Sequence, residues 1–192
     1  MSGTNIEKNL ALVLIDLQNG FVGAPTTPYS TEEVVARATR LVDAFRQHAL
    51  PVVFVHVTFS PDGADMFVPR TDRSPEAGMS LPENWDQLVK ELGQQPIDIV
   101  VPKRGWSAFH GTSLDLHLRR RGITEIALAG IVTSIGVEST ARQAYDHGYH
   151  QIFVEDAMSD LSEEAHQHTI SQIFPRIGRV KSTEEVLALL AH

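Results

Sequence analysis

Residues 10–16 read Leu-Ala-Leu-Val-Leu-Ile-Asp, six apolar residues in succession closed by an acid. A surface helix would show gaps at helical spacing, and a half-exposed strand would alternate. A short run that is apolar on both faces fits a strand of a parallel sheet covered by helices on either side. Outward from it the same pattern recurs at Val52–Val57, Ile97–Val101, Ile126–Ala129 and Ile152–Val154, with a weaker version at Ile177–Val180. Helical segments fall between these runs. Ser30 with Glu33 forms a capping box, after which Val34, Val35, Ala38, Leu41, Val42 and Phe45 recur at helical spacing. Ser80 with Glu83 opens a second predicted helix, and a third runs from about Ser113 to Arg121. A fourth begins near Ser134 and ends before Gly148, and a fifth runs from Leu161 to Phe174 and stops at Pro175. Ser182 with Glu185 caps the last. This alternation predicts an α/β fold: a three-layer α/β/α sandwich around a mostly parallel, Rossmann-like sheet with right-handed crossovers, in one domain over residues 1–192.

One connection is long. Phe59 to Met79 is rich in Pro, Gly, Asp and Arg and has no periodicity. A stretch of this length inside a domain is either a surface loop or a lid that shapes a substrate site.

Composition narrows the function classes. The net charge of −8 does not attract polyphosphate, so nucleic acid is not an expected partner. The one basic cluster, Arg119-Arg120-Arg121, ends a predicted helix, where cations offset the helix dipole. With no cysteine in the chain, disulfides, thiolate metal sites and thiol nucleophiles are excluded. The opening MSGTNIEKNL lacks a charged-then-apolar signal pattern, and no apolar run reaches the ~20 residues of a membrane span. The expected address is the cytoplasm, with no membrane partner.

In open parallel sheets, ligands bind beyond the carboxyl ends of the strands. Asp16 closes the first strand, Lys103 the third, and Gly130–Gly136 leads from a strand into a helix N-terminus. If those strands are neighbours, a carboxylate, an ammonium and a set of backbone N–H donors meet in one cleft. On position alone the alternative stands: Asp16 as a turn residue, Lys103 solvated, and Thr133 or Ser134 as a helix cap.

Four segments together resemble the isochorismatase-like hydrolases, the cysteine hydrolase superfamily. These are ALVLIDLQNGF (11–21), VPKRGWSAFHGTSL (101–114), GIVTSIGVESTARQAYDHGY (130–149) and VEDAMSDLSEEAHQHTI (154–170). The resemblance covers most of the chain in the right order. It implies a catalytic aspartate at Asp16, the family lysine at Lys103, and the strand-to-helix nucleophile position at Gly136. It also implies a non-proline cis peptide at Ile131–Val132. At 136 the chain departs from relatives that hydrolyse amides, which carry the nucleophilic cysteine there. True isochorismatases, which cleave a vinyl ether, often have glycine at that position. The stretch Ser107–His110 is also similar to theirs, and the motif resembles a bacterial subgroup with TxIGVESTAR.

Without a thiol, the thioester route to amide hydrolysis is closed. Ser139 lies a turn further on, and Ser134 has no histidine beside it in sequence to act as base. Vinyl ether hydrolysis needs no nucleophilic side chain, only an acid that protonates the enol carbon and a water. The expectation is a hydrolase acting on a small metabolite of enol-ether type, with Asp16 as acid and Lys103 as its partner. Lys103 would lower the Asp16 pKa while burial would raise it. Isochorismate itself, a dianion, would call on Lys103, Arg104, Arg70 and Arg73. The alternatives are an amide hydrolase using activated water, or a family scaffold without catalysis that binds a metabolite or assembles as an oligomer.

Around this centre, Gln18, Phe21, Trp106, Phe109, Ile131, Val132, Thr133 and Ile135 are the candidate substrate-binding residues, each weighed against plain packing. His166 and His168, two apart on a helix, face different ways. His56 reads as a core histidine, and HVTFSPDGADM (56–66) lacks the Asp-x-His pattern of metal-binding nicotinamidases. No metal and no cofactor are expected. The resemblance implies a homo-oligomer, dimer or tetramer, with Met158 and Phe174 as apolar residues that could face a partner.

Overall fold

The computed structural model describes residues 9–72 and 82–191. Six parallel strands form one sheet in the order β3-β2-β1-β4-β5-β6. The strands are β1 (Leu10–Ile15), β2 (Val52–Val57), β3 (Ile99–Lys103), β4 (Glu125–Ile131), β5 (His150–Ser159) and β6 (Arg179–Lys181). Five helices accompany them: α1 (Thr31–Gln47), α2 (Leu114–Arg120), α3 (Glu138–Asp146), α4 (Glu163–His168) and α5 (Thr183–Leu190).

Alternate side chains of β1 explain the layers. Leu10, Leu12 and Leu14 join the apolar stripe of α1 and residues of α5 on one face. Ala11, Val13 and Ile15 join residues of α2 and α3, with Phe174, on the other. Every β1 residue is buried, which is why its sequence shows no alternation. The expected three-layer α/β fold is therefore the observed one.

Strand order places the functional edge. From β1 the chain winds outward through β2 and β3, returns to the centre at β4, and winds the other way through β5 and β6. The crevice beyond the carboxyl ends of β1 and β4 is the switch point where such sheets bind ligands. The two strands approach closely there. Gly130 pairs with Ile15 and has φ 125°, and a Cβ at Gly130 would lie 2.1 Å from the Ile15 carbonyl oxygen. Only glycine fits this contact.

Both expected capping boxes are present, Ser30 with Glu33 on α1 and Ser182 with Glu185 on α5. Other expectations shift. The helix foreseen from Ser80 does not continue through its described part: 83–86 are turns, and only Lys90–Leu92 coil, as one 3-10 turn. Ser80 lies outside the described residues. The fifth predicted helix breaks after His168 into a wider π turn at Thr169–Ile173 and a 3-10 turn at Phe174–Arg176, because Pro175 cannot continue an α-helix. Met158 and Phe174 do not face a partner. Both are fully buried, and Phe174 stacks on Phe153 with ring centroids 3.8 Å apart. Among the described residues no helix is long and apolar enough to cross a membrane.

Candidate active site

β1 ends in Asp16, whose backbone enters the left-handed region at φ 57°, a conformation Asp tolerates better than most residues. The reversal ends the strand and leaves the carboxylate at the switch point. β3 ends in Lys103, and the two side chains meet: Lys103 Nζ lies 2.8 Å from Asp16 Oδ2. Both are buried, with 8% and 1% of the Asp16 and Lys103 side chains exposed, so solvent scarcely screens the pair. The ammonium donates its other bonds to the carbonyl oxygens of Gly105 at 3.0 Å and Trp106 at 2.9 Å. Every Lys103 proton thus has an acceptor, as a buried ammonium requires.

Asp16 is less fully paired. Its second oxygen, Oδ1, is buried and accepts no hydrogen bond among the described residues. Burial pushes the Asp16 pKa up from 3.8 to about 6, against the opposing pull of Lys103. The competition posed by the sequence is therefore won by desolvation.

The third component arrives from β4. The Ile131–Val132 peptide is cis, as the resemblance implied. A π turn at Thr133–Val137 then leads into α3, and Val132, with no side-chain cap, occupies the cap position. Gly136 sits against the carboxylate. A Cβ there would lie 3.1 Å from Asp16 Oδ2 and 3.2 Å from Ile15 Cγ2, tighter than ordinary packing. Asp16, Lys103 and Gly136 are thus gathered at one edge of the sheet.

Several braces that the sequence did not reveal hold this turn. Thr140 donates its hydroxyl to the Gly136 carbonyl at 2.7 Å and accepts the Ala108 N–H at 2.9 Å, joining α3 to the segment after Lys103. Ser107 and Gln143 repeat the link at 2.7 Å. On the other side Asp160 accepts the Ser134 N–H at 2.6 Å, and Thr133 Oγ1 bonds His166 Nδ1 at 3.0 Å. Burial pushes the His166 pKa down, with Asp160 and Glu163 pulling the other way. The donors expected in a row at the helix start are thus partly committed. Ser134 N–H goes to Asp160, and those of Ile135 and Val137 go to the Val132 carbonyl.

The remaining candidates divide. Ile131 and Thr133 are buried beside Gly136, whereas Val132 and Ile135 are half-buried. Gln18 is fully buried, and its amide is engaged by backbone. It accepts the Val57 N–H at 2.8 Å and donates to the carbonyls of Val57 and Trp85 at 3.1 Å each. Its side chain ties β1 to β2 and to the segment at Trp85. Phe21 packs on the α1-side core. Trp106 is 66% exposed, and its carbonyl, not its ring, reaches Lys103. Phe109 is not brought to the site. It packs on His147 and Tyr149 past the C-terminal end of α3, whereas Gly136 precedes the N-terminal end. An aromatic six residues after Lys103 has enough chain to fold back into the core.

Of the isochorismate-binding cations considered, Lys103 is committed to Asp16, Arg104 pairs with Asp65, Arg70 is exposed, and Arg73 lies outside the described residues. The candidate lid is described only as far as residue 72; its remaining residues, 73–79, also lie outside. Its described part after Ser60 is mostly exposed, including Met66, Phe67 and Val68. Two hollows of about 530 and 460 Å³ open at the amino ends of the strands, lined by Gln151 and Arg179 in one and by Val52 and Ile99 in the other. Neither touches Asp16.

Comparison with known proteins gives these observations a context. Residues 10–185 match the model of the isochorismatase domain. The chain is 50% identical over 189 residues to the uncharacterized isochorismatase family protein YwoC of Bacillus subtilis, covering 97% of each. It is 32% identical to the ureidoacrylate amidohydrolase RutB of Pseudomonas syringae, over 91% of this chain and 81% of that one. Among solved structures it is similar to an isochorismatase family protein from Burkholderia thailandensis, with a TM-score of 0.93, 46% identity and 100% of both chains covered.

Proposed function

Because the chain belongs to the isochorismatase family and is a hydrolase of that kind, we propose that it cleaves a small enol-ether metabolite by acid catalysis from Asp16, with no covalent intermediate. One observation carries this reading. Asp16 is a buried carboxyl with one oxygen on Lys103, the other without a partner among the described residues, and a pKa raised to about 6. A general acid works best when its pKa lies near the working pH. At pH 7 such a group is protonated in roughly a tenth of molecules, against about a thousandth for an ordinary aspartate.

The steps balance without a nucleophilic side chain. Asp16 gives its proton to the terminal enol carbon, and the ether carbon becomes an oxocarbenium ion. The negative charge left on Asp16 faces that cation and stabilises it. Water adds to the cationic carbon and loses a proton, which restores Asp16. The hemiketal collapses to a ketone and an alcohol. Lys103 holds the carboxylate in place and limits how far burial raises its pKa. Glycine at 136, in place of the nucleophilic cysteine of thiol-dependent relatives, sets no side chain of its own on Asp16 Oδ2, which a Cβ there would approach to 3.1 Å.

The similarity to an amidohydrolase favours a second reading, attack of activated water on an amide. A panel of enol ethers and amides separates the two. It should include isochorismate, with pyruvate release as the readout. Turnover of an enol ether that disappears in Asp16→Asn supports the proposal. Turnover confined to amides, or full activity of Asp16→Asn on the true substrate, overturns it.

A further inference from the structure

We propose that Asp160 is a positioning residue for Asp16: by holding the Ser134 N–H it fixes the turn that carries Gly136 against the Asp16 carboxyl and keeps water away from it. The inference rests on Asp16 being the acid, but its test does not require a substrate.

Asp160 follows β5 directly and is 2% exposed. Its own place is set from two directions. Its backbone exchanges hydrogen bonds with Thr27, at 2.8 and 3.0 Å, and its Oδ1 accepts the Leu161 N–H at 2.7 Å. The remaining oxygen, Oδ2, takes the Ser134 N–H at 2.6 Å. A charge-assisted bond of this kind is about twice as strong as one between neutral groups. The next residue back, Thr133, is tied to His166 of α4 at 3.0 Å. Both residues that open the π turn are therefore anchored to the corner between β5 and α4.

Two residues further along, Gly136 stands so near Asp16 that a Cβ on it would lie 3.1 Å from Oδ2. Thr140 restrains Gly136 from the helix side, but through its carbonyl. Asp160 is the carboxylate that fixes where the turn begins. Release of that end lets the turn lift and admits water to Asp16 Oδ1, the oxygen that has no partner among the described residues. Water there reduces the desolvation that is the largest cause of the raised Asp16 pKa. The charged group facing Asp16 is Lys103 from β3, while Asp160 and Glu163 both face His166 of α4. Asp160→Asn and Asp160→Ala remove the same carboxylate, so any direct charge effect on Asp16 is common to both, and the difference between the two variants reports the turn.

The test is the titration of the Asp16 carboxyl carbon by NMR in the wild type, Asp160→Asn and Asp160→Ala. The asparagine keeps one acceptor oxygen and serves as the folded variant if alanine does not fold. Expected is a fall of the Asp16 midpoint by about one unit in Asp160→Ala and a smaller fall in Asp160→Asn. On a turned-over substrate, kcat should drop about 10-fold or more with KM little changed. A midpoint unchanged from wild type in a folded Asp160 variant, or one that falls equally in Asp160→Asn and Asp160→Ala, overturns the inference, whatever the activity. A midpoint that falls further in Asp160→Ala than in Asp160→Asn, in an enzyme inactive on every enol ether, upholds it and sinks only the proposed reaction.

Discussion

Lys103 and Arg104 are neighbours in the chain, and each faces an aspartate, yet the two pairs have opposite electrostatics. Lys103 meets Asp16 inside the protein, and the Asp16 pKa rises to about 6. Arg104 meets Asp65 on the loop after β2, with 45% and 36% of their side chains exposed. There the hydrogen bonds from Ser60 and Arg104 lower the Asp65 pKa to about 2. Solvent makes the difference. At the surface water solvates the carboxylate and hydrogen bonds tip it further toward the charged form. In the interior the loss of water outweighs the cation. One strand end thus supplies the cation both for a buried carboxyl whose pKa is raised and for a surface carboxylate whose pKa is lowered.

The largest effect expected from breaking this contrast is at Asp16 itself. Asp16→Asn keeps the shape and loses the proton, so kcat on the true substrate should fall about 10³-fold, with circular dichroism unchanged. Lys103→Met should destabilise the fold by about 3–5 kcal/mol at pH 8, where Asp16 would be a buried unpaired charge. The loss should shrink at pH 5, because without its cation Asp16 takes up a proton more readily still. Chemical denaturation at the two pH values reads both.

The raised pKa also sets a pH slope for stability. Asp16 binds its proton more tightly folded than unfolded, so its contribution is complete below about 3.8 and is lost as pH rises through about 6. Relative to Asp16→Asn, the wild type should gain on the order of 3 kcal/mol between pH 7 and pH 4. A flat difference between the two would remove the burial argument. Gly136→Ala should cost about 1–3 kcal/mol by pressing a methyl on Asp16 and Ile15. The smallest effect belongs to the surface pair: Asp65→Asn should leave the melting temperature unchanged within error. A large shift there would erase the contrast between the two aspartates.

How much of this was legible in the sequence follows from the range of each interaction. The apolar runs and the two capping boxes are local patterns, and they locate the elements, although β3 starts at Ile99 rather than Ile97 and alternates between buried and exposed residues, and β6 is only Arg179–Lys181. β5 extends to Ser159, five residues past its apolar run, and half-buried Glu155 and Asp156, within a register shift against β4, hide that extension in the sequence. At the site, Asp16, Lys103 and Gly136 were named from their places at strand ends and from the resemblance, and they do meet. Thr140, Asp160 and His166 were missed, since their partners lie 26 to 33 positions away for the long contacts, and no spacing rule reaches that far. Asp160 does stand in a segment used to recognise the fold, VEDAMSDLSEEAHQHTI, but there it looks like a strand-end acid. Phe109 shows the converse: closeness in sequence to Lys103 did not place it near Lys103's partner.

The Thr140 hydroxyl has one hydrogen, aimed at the Gly136 carbonyl, and a lone pair that takes the Ala108 N–H. That directionality welds the two flanks of the crevice into a single body, in which the helix start and the stretch beyond Lys103 travel together or not at all. Serine would preserve the joint and valine would cut it.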